Sequence, residues 1–407
     1  MKIMVLVGSY PPIINSAARL YSELSLDLQK KGHDVTVITL QPDKLSVAID
    51  KSNGESKTDD EAFNKIKIIR TTSLLFLTKI RGGKVFRYLL VFIPIVVRGV
   101  FLSRPDVILA YTPSLFMGLA ARLLAKIKRS RYVLNIQDIH PKVLIDMGYV
   151  KNNTAIRLLQ KVEVFIYKKA DSFIVYSEGN KEYLIQKSID AQKVFVIPNW
   201  FNTNLLAFSV GENDFRKRNK ITDKFIIVYA GTVTQDQGLT VVVEAADKLK
   251  LNEDILFLIV GEGNAMPLLQ KAMTEKKLRN VMFLPAQNYE RYVNILSSSD
   301  ICLISLNKAI PKETVPGKLA EIMACGRPVI ASVSCDGDAA KIIKKAGCGF
   351  CIEPLDAVGL SREILNIYKD KCLREALSNN ARKFAENNFS RSSCTRKYED
   401  VLRSAST

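Results

Sequence analysis

The chain has 407 residues, 47% of them hydrophobic and 25% charged, a balance too apolar for a disordered protein and, at roughly 100–200 residues per domain, one that predicts two domains. Lys and Arg outnumber Asp and Glu by 59 to 41. The net charge of +18 calls for a polyanionic partner (nucleic acid, an anionic membrane or a phosphorylated substrate), and two histidines argue against a His-based metal centre. Short β-branched runs alternate with longer amphipathic stretches. The first, Lys2–Val7, reads as a strand, and the segment Met1–Gly8 is too short and lacks the cleavage site of a signal peptide. A helix pattern over Ala17–Lys31 follows, then strands at Val35–Thr39 and Ile66–Arg70.

Residues 62–137 carry fourteen bases and one acid, Asp106, interleaved with Leu74-Leu-Phe-Leu77, Phe86, Tyr88–Ile93 and Phe101. Apolar side chains mixed with bases suit the interface of an anionic bilayer; a core helix with solvated ends is the plainer alternative. The longest uncharged apolar run, Tyr88–Val97, has ten residues, against about 20 for a spanning helix. A cytoplasmic protein lying peripherally on the inner face of the membrane is expected. Strands at Val107–Ala110, Tyr132–Ile136, Ser172–Tyr176 and Val194–Ile197 complete the first half. A boundary falls near 199–224, where Gly211–Lys224 reads as a polar linker containing Arg216-Lys-Arg218. The second half has strands at Phe225–Ala230, Ile255–Val260, Val281–Leu284, Ile301–Ile304, Val329–Ser332 and Phe350–Ile352. All seven cysteines lie in this half, and their number and spacing fit reduced thiols of a cytoplasmic protein. The alternation predicts an α/β chain of two doubly wound, Rossmann-like domains: residues 1–200, residues 201–385, and a last helix, 386–407, that need not stay with the second domain.

Ligands of open parallel sheets bind beyond the carboxyl ends of the strands. After the first strand, Asn15 and Ser16 open a helix whose small residues would admit a ligand to its N-terminus, although Asn and Ser are also ordinary caps. Gly231-Thr232 and Gly261-Glu-Gly263 follow strands and read equally as tight turns. The segment Glu313-Thr-Val-Pro-Gly-Lys-Leu-Ala-Glu321 runs from a loop into a helix starting near Pro316. Eight helical residues span about 12 Å, the reach of an extended sugar nucleotide. A diphosphate at the helix N-terminus would have Glu313 on one side, at a sugar, and Glu321 on the other, at the cis-diol of a ribose. The plain alternative is an exposed helix with a Lys318–Glu321 pair.

Glu313-x7-Glu321 followed by Gly326-Arg-Pro-Val-Ile330 resembles the paired-glutamate motif of glycosyltransferase family 4, the retaining GT-B enzymes. Val228-Tyr-Ala-Gly-Thr232, Gln237-Gly-Leu239, Phe257–Gly263 and Asn280–Leu284 are similar to the family's donor domain. Gly8–Pro12, Gly32–Val37, Tyr176-Ser-Glu178 and Val196–Asn199 resemble its acceptor domain. The likeness runs in order over nearly the whole chain. It implies a GT-B fold with two domains facing a central cleft and a last helix, 386–407, that crosses back onto the first domain. It also implies amides around Val315, Gly317 and Lys318 directed at the diphosphate, and Gly231 and Thr232 lining the phosphate site. The subgroup it most resembles moves amino sugars to lipid-linked acceptors in polysaccharide assembly. The chain departs from the family in having Asn15-Ser16 where a Gly-Gly pair is usual. It has Thr232 and Gln237 in place of the Arg and Lys that neutralise the diphosphate, which leaves Lys318 as the cation. Asp138 and His140, just past a strand end, are candidates for orienting the acceptor hydroxyl, accepting its proton or bonding the donor sugar.

The reading is therefore a retaining transferase that uses a nucleotide sugar, UDP-linked, and needs neither cofactor nor metal. Its acceptor is a polyprenyl-diphosphate-linked sugar reached across an anionic membrane through residues 62–137. Domain closure would join donor to acceptor and exclude water. The rivals are a sugar-nucleotide epimerase or hydrolase of the same fold and a basic nucleic-acid-binding protein. No recognised nucleic-acid motif is present, so no nucleic-acid partner is expected.

Overall fold

The computed structural model describes residues 1–13, 15–41, 66–72, 84–112, 115–137, 139–146, 148–201 and 214–406, with the backbone alone at 84–91 and 214. Each of the strands expected above forms, its ends moved by one residue at most. The first sheet comprises β1 (Lys2–Leu6), β2 (Asp34–Leu40), β3 (Lys67–Thr71), β4 (Val107–Tyr111), β5 (Arg131–Ile136), β6 (Ser172–Val175) and β7 (Val194–Val196). The second comprises β8 (Phe225–Ala230), β9 (Ile255–Val260), β10 (Val281–Leu284), β11 (Ile301–Ser305), β12 (Val329–Ser332) and β13 (Gly349–Ile352). The orders are β3-β2-β1-β4-β5-β6-β7 and β10-β9-β8-β11-β12-β13, with parallel pairing throughout. Both are doubly wound Rossmann-like sheets.

The composition of the strands explains the arrangement. A parallel strand covered by helices on both faces must be apolar on both. All six residues of Phe225–Ala230 and of Ile255–Val260 are buried, whereas the edge strands Lys67–Thr71 and Gly349–Ile352 are only half-buried. Helices complement them with single apolar faces: Leu20, Leu24 and Leu28 of the helix Ser16–Lys30 are all buried. Each such side chain contributes about 1.5–3 kcal/mol on leaving water.

The chain divides into two compact units, residues Met1–Pro198 with Cys394–Thr407, and residues Asn199–Ser393. Each sheet has its own core, one around Met4, Ile108 and Leu134, the other around Ile227, Phe257 and Ile301. The expected single tail helix from 386 is two: Lys371–Asn388 stops at Phe389, and Arg391–Ser406 follows. Within the first unit that last helix is pinned by Glu399. Its carboxylate accepts from Lys31 Nζ (2.6 Å), His33 Nε2 (3.0 Å) and Arg403 Nη2 (2.8 Å). Burial pushes this carboxyl up, but the three donors together outweigh burial and hold it at about 2. Tyr398, also buried, accepts a hydrogen bond from Asn135 of β5.

The linker expectation is revised. Residues 202–213 of the linker lie outside the described residues, but Asp214–Arg218 is a short helix and not a solvated tether. Its Arg216 reaches Asp300 Oδ2 at 2.7 Å and the carbonyls of Ser298 (2.7 Å) and Lys224 (2.9 Å), clamping the entry to β8. Of the basic, apolar stretch 62–137, residues 62–65, 73–83 and 113–114 lie outside the described residues.

Candidate functional site

In the second unit strand order reverses between β8 and β11, and in the first between β1 and β4. Loops leaving the carboxyl ends of strands that flank such a reversal diverge to opposite faces and leave a crevice for ligands. Gly231 leaves β8, and residues 306–317 leave β11, so Glu313, Val315, Gly317, Lys318 and Glu321 stand on one border of the second reversal and Gly231 and Thr232 on the other. The 306–317 loop is strapped at its start and at its middle. Asn307 donates to the carbonyl of Asp236 (2.7 Å), and the carbonyl of Lys312 accepts from Asp338 N (2.9 Å). Lys312 Nζ also pairs with Asp336 at 3.0 Å. Glu313, half-buried, is thus carried by a loop whose neighbour is fixed through both main chain and side chain.

The helix that follows is Lys318–Ala324, starting two residues later than the expected Pro316, with Gly317 as its uncapped N-terminal residue. Leu319, Ile322 and Met323 fill the core side. Thr314 and Leu319 donate to Pro311 and Pro316 (3.0 Å each), while the amides of Val315, Gly317 and Lys318 meet no backbone carbonyl among the described residues. They lie at a positive helix end, where an anion is favoured.

Lys318 and Glu321 do not form the surface pair weighed from the sequence; each turns to an aromatic ring system. Lys318 Nζ lies 3.7 Å from the centroid of the Tyr229 ring and 3.5 Å from the carbonyl oxygen of Ala230. Tyr229 is itself held, its hydroxyl donating to Thr232 O at 2.7 Å with Gln237 Oε1 at 3.0 Å. The lysine stem is half-buried, but its ammonium is packed against β8. Burial lowers its pKa to about 7, despite the opposing influence of Cys302 and Glu321. Glu321 accepts from two phenols, Tyr289 OH on Oε1 (3.2 Å) and Tyr292 OH on Oε2 (3.1 Å).

The glycines have distinct reasons. A Cβ on Gly231, at φ +150°, would stand 3.1 Å from Lys318 Nζ, so glycine lets the ammonium reach the Tyr229 face. Gly231 N is already committed to Val260 O at 2.9 Å, which leaves it no amide for a phosphate. Gly261, expected to bind donor, is buried, and a Cβ there would fall 1.8 Å from Gly231 O. Its residue type is explained by the contact between the β8 and β9 turns. Thr232 is exposed beside Gly231.

In the first unit, Asn15 caps the helix Ser16–Lys30, its Oδ1 accepting from Ala18 N at 2.8 Å. This is the local role that the sequence left open, and Ser16 is the exposed first residue of the helix. His140 lies in the turn after β5, one strand removed from the reversal; Asp138 lies outside the described residues. Gln137 donates to Asn135 Oδ1 at 2.9 Å, and Asn180 donates to the carbonyl of Gln137 at 3.3 Å, fixing the start of this loop.

Residues 17–200 match the family model described as glycosyl transferase 4-like domain, and residues 211–384 match the one described as glycosyl transferases group 1. The chain belongs to the family 4-like glycosyltransferases of GT-B fold. It is 26% identical over 99% of its length to the whole of WcaI of Escherichia coli K12, a protein whose name places it among colanic acid biosynthesis glycosyl transferases. It is 24% identical, over 70% of each chain, to the Campylobacter jejuni N-acetylgalactosamine-N,N'-diacetylbacillosaminyl-diphospho-undecaprenol 4-alpha-N-acetylgalactosaminyltransferase. Its fold matches that of Anabaena HepE, solved in complex with UDP, with a TM-score of 0.75, 18% identity, and 99% and 100% of the two chains covered. For this family member the paired glutamates were singled out from the sequence, by their spacing and by resemblance. The tyrosines 229, 289 and 292 that hold Lys318 and Glu321 were not, because no local pattern tells a phenol aimed at a neighbouring helix from one packed in a core.

Proposed function

We propose that this glycosyltransferase moves a sugar, an N-acetylamino sugar, from a UDP-linked donor to a polyprenyl-diphosphate-linked acceptor during polysaccharide assembly, with retention at the anomeric carbon and without a metal. The observation that carries the reading is the convergence of Lys318 and the amides of Val315, Gly317 and Lys318 at the strand-order reversal. A departing diphosphate develops negative charge, and fixed donors placed where that charge appears lower the barrier. Glu313 holds hydroxyls of the transferred sugar and Glu321 those of the ribose, the separation of roles that the family resemblance implies. The acceptor hydroxyl oxygen attacks the anomeric carbon as the bond to the diphosphate breaks. Its proton passes to the departing phosphate oxygen or to Asp138, with His140 near the same strand end. The amino-sugar and lipid-diphosphate parts are supported by the name of the Campylobacter relative, and UDP by the ligand of the HepE structure.

The acceptor gives the basic first unit a purpose: contact with an anionic membrane surface. Its helices Lys84–Val100, Leu115–Lys128 and Asn153–Tyr167 contain one acid between them, Glu163. That carboxylate is buried against Tyr183 (2.9 Å) and Lys187 (3.3 Å). Ile93, Val97 and Phe101 are 41%, 50% and 83% exposed, and Ile127, Leu158 and Phe165 of the neighbouring helices are exposed too. Apolar side chains among bases, without competing carboxylates, can enter a headgroup layer of anionic lipid. No helix among the described residues is long and apolar enough to cross a membrane.

The deciding experiment offers UDP-sugars and a synthetic polyprenyl-diphosphate acceptor with divalent ions chelated. Transfer is expected from the wild type and lost in Glu313→Gln with the fold intact. Epimerised or hydrolysed donor without transfer would replace this reading with the epimerase or hydrolase.

A further inference from the structure

The amino ends of β11 and β12 border a second cleft, at the opposite strand ends from the loops described above. Asp300 stands immediately before β11 and Arg327 two residues before β12. Arg374, Glu375, Ser378 and Asn379 of the helix Lys371–Asn388 close it. The five residues of β11 put about 16 Å of strand between this cleft and the loop that carries Glu313. Its volume is about 350 Å³, at the small end of the range for small-molecule sites. Three arginines approach, and one is neutralised. Arg216 gives Nη2 to Asp300 Oδ2 (2.7 Å), which also accepts from Ile226 N (2.8 Å). Arg327 and Arg374 have no carboxylate partner among the described residues. Arg327 donates Nη1 to the carbonyl of Ser299 at 3.0 Å, which fixes the plane of its guanidinium. The Nε–Nη2 edge, the one that takes an oxyanion through two parallel bonds, meets no acceptor among the described residues, and its Nε is buried. A buried donor left unmade costs about 1–3 kcal/mol, more when it is charged. Arg374 is held on one side, with Nη1 3.5 Å from the carbonyl of Ile367 and its guanidinium 5.2 Å from the centroid of the Phe225 ring. The side chains of Ser378 and Asn379 make no hydrogen bond with another described residue.

We propose that this cleft is a second anion site, separate from the donor crevice, which binds a phosphomonoester of monosaccharide size, a sugar phosphate by chemical class. The phosphate takes the Nε–Nη2 edge of Arg327 and the outer side of the Arg374 fork, with Ser378 and Asn379 as neutral donors. A tetrahedral dianion uses donors from two elements at once, whereas a carboxylate is satisfied by one fork. The acids present do not cancel this charge. Asp300 is already paired with Arg216, and Glu375 is exposed on the rim, 3.7 Å from Lys371. Asp300 Oδ1 accepts no hydrogen bond from the described residues, which leaves it to a hydroxyl of the sugar. A nucleotide sugar is too large for the space.

The test is calorimetric titration of the full-length protein, with and without UDP, using glucose 6-phosphate, inorganic phosphate, glucose and acetate as probes. The wild type is expected to bind glucose 6-phosphate more tightly than inorganic phosphate, to bind glucose and acetate far more weakly, and to show the same affinities when UDP is present. Arg327→Gln and Arg374→Gln should each weaken the ester by about tenfold or more, the loss of charge-assisted bonds. Arg327→Lys, which keeps the charge without the two-donor edge, should not restore binding. Ser378→Ala should weaken it by about two- to fivefold, and Lys345→Gln, exposed on another helix, should leave it as it was. Thermal melting checks each variant, and Ser378→Ala, which keeps both arginines, reads the site if an arginine variant does not fold. Unchanged binding in Arg327→Gln and Arg374→Gln, or in Ser378→Ala where those do not fold, would overturn the proposal. So would displacement of the ester by UDP, no preference for it over inorganic phosphate or acetate, or no binding at millimolar concentration.

Discussion

Replacing Lys318 by Met is expected to weaken donor binding and stabilise the protein at once. The ammonium lies on the Tyr229 ring with no carboxylate paired to it among the described ion contacts, and its pKa stands at about 7 instead of 10.5. At about 1.4 kcal/mol for each tenfold change in proton affinity, this amounts to ~5 kcal/mol against the charged form. The ring face returns up to about 2 kcal/mol, and water reaching the half-exposed stem trims the remainder to ~2–3 kcal/mol. Because the folded pKa is depressed, the unfolded chain binds more protons between pH 7 and 10.5, so stability rises with pH across that window. In Lys318→Met this slope should vanish and the melting temperature of the second unit at pH 7 should rise by about 5 °C. Donor binding responds in the opposite sense. A unit charge about 4 Å from an anion at an effective dielectric constant near 20 is worth about 4 kcal/mol. Protonating a lysine whose pKa equals the pH takes only about 0.4 kcal/mol of that, so loss of the ammonium should weaken UDP binding at pH 7 by about 400-fold. Wild-type affinity should fall toward tenfold per pH unit above 7, and calorimetry in two buffers of different ionisation enthalpy should register proton uptake of about one half at pH 7. A wild-type affinity that is flat from pH 7 to 9, or a Met variant that binds UDP as tightly as the wild type, would refute the reasoning.

Three other outcomes are expected. Glu399→Gln should cost about 1–3 kcal/mol at pH 7, and the wild type should lose the same contribution as pH falls from about 4.5 to about 2, the window in which a depressed carboxyl takes up its proton; proteolysis at the last helix would report it. Gly261→Ala should yield little soluble protein, since its methyl would stand 1.8 Å from the carbonyl oxygen of Gly231, and rescue by lowered temperature would be partial at best. Arg98→Glu with Lys126→Glu should weaken sedimentation with anionic vesicles by at least about tenfold, at about 1 kcal/mol per charge near the surface, while binding to neutral vesicles stays as it was.

The strands were readable because a strand buried on both faces has to be continuously apolar: Phe225–Ala230 and Ile255–Val260 can hardly be anything else. The reversal points then follow from chain order, and with them the loops worth inspecting. Side-chain direction was not readable. Lys318 looked like an exposed cation because charge is usually solvated, yet glycine at 231 opens a slot that takes it to Tyr229. Arg216, within an apparently polar linker, finds Asp300 from 84 positions away. Asn15 had two meanings from sequence, and only the distance to Ala18 N favours the cap.

The last helix also bears on how the protein is made. Residues 1–198 leave the ribosome first, but Asn135 obtains Tyr398, and His33 obtains Glu399, only after the entire second unit has been synthesised. A nascent chain therefore carries its earliest-made part in an unfinished state for most of translation. A truncation of a dozen residues at the far end would be felt as damage at the beginning.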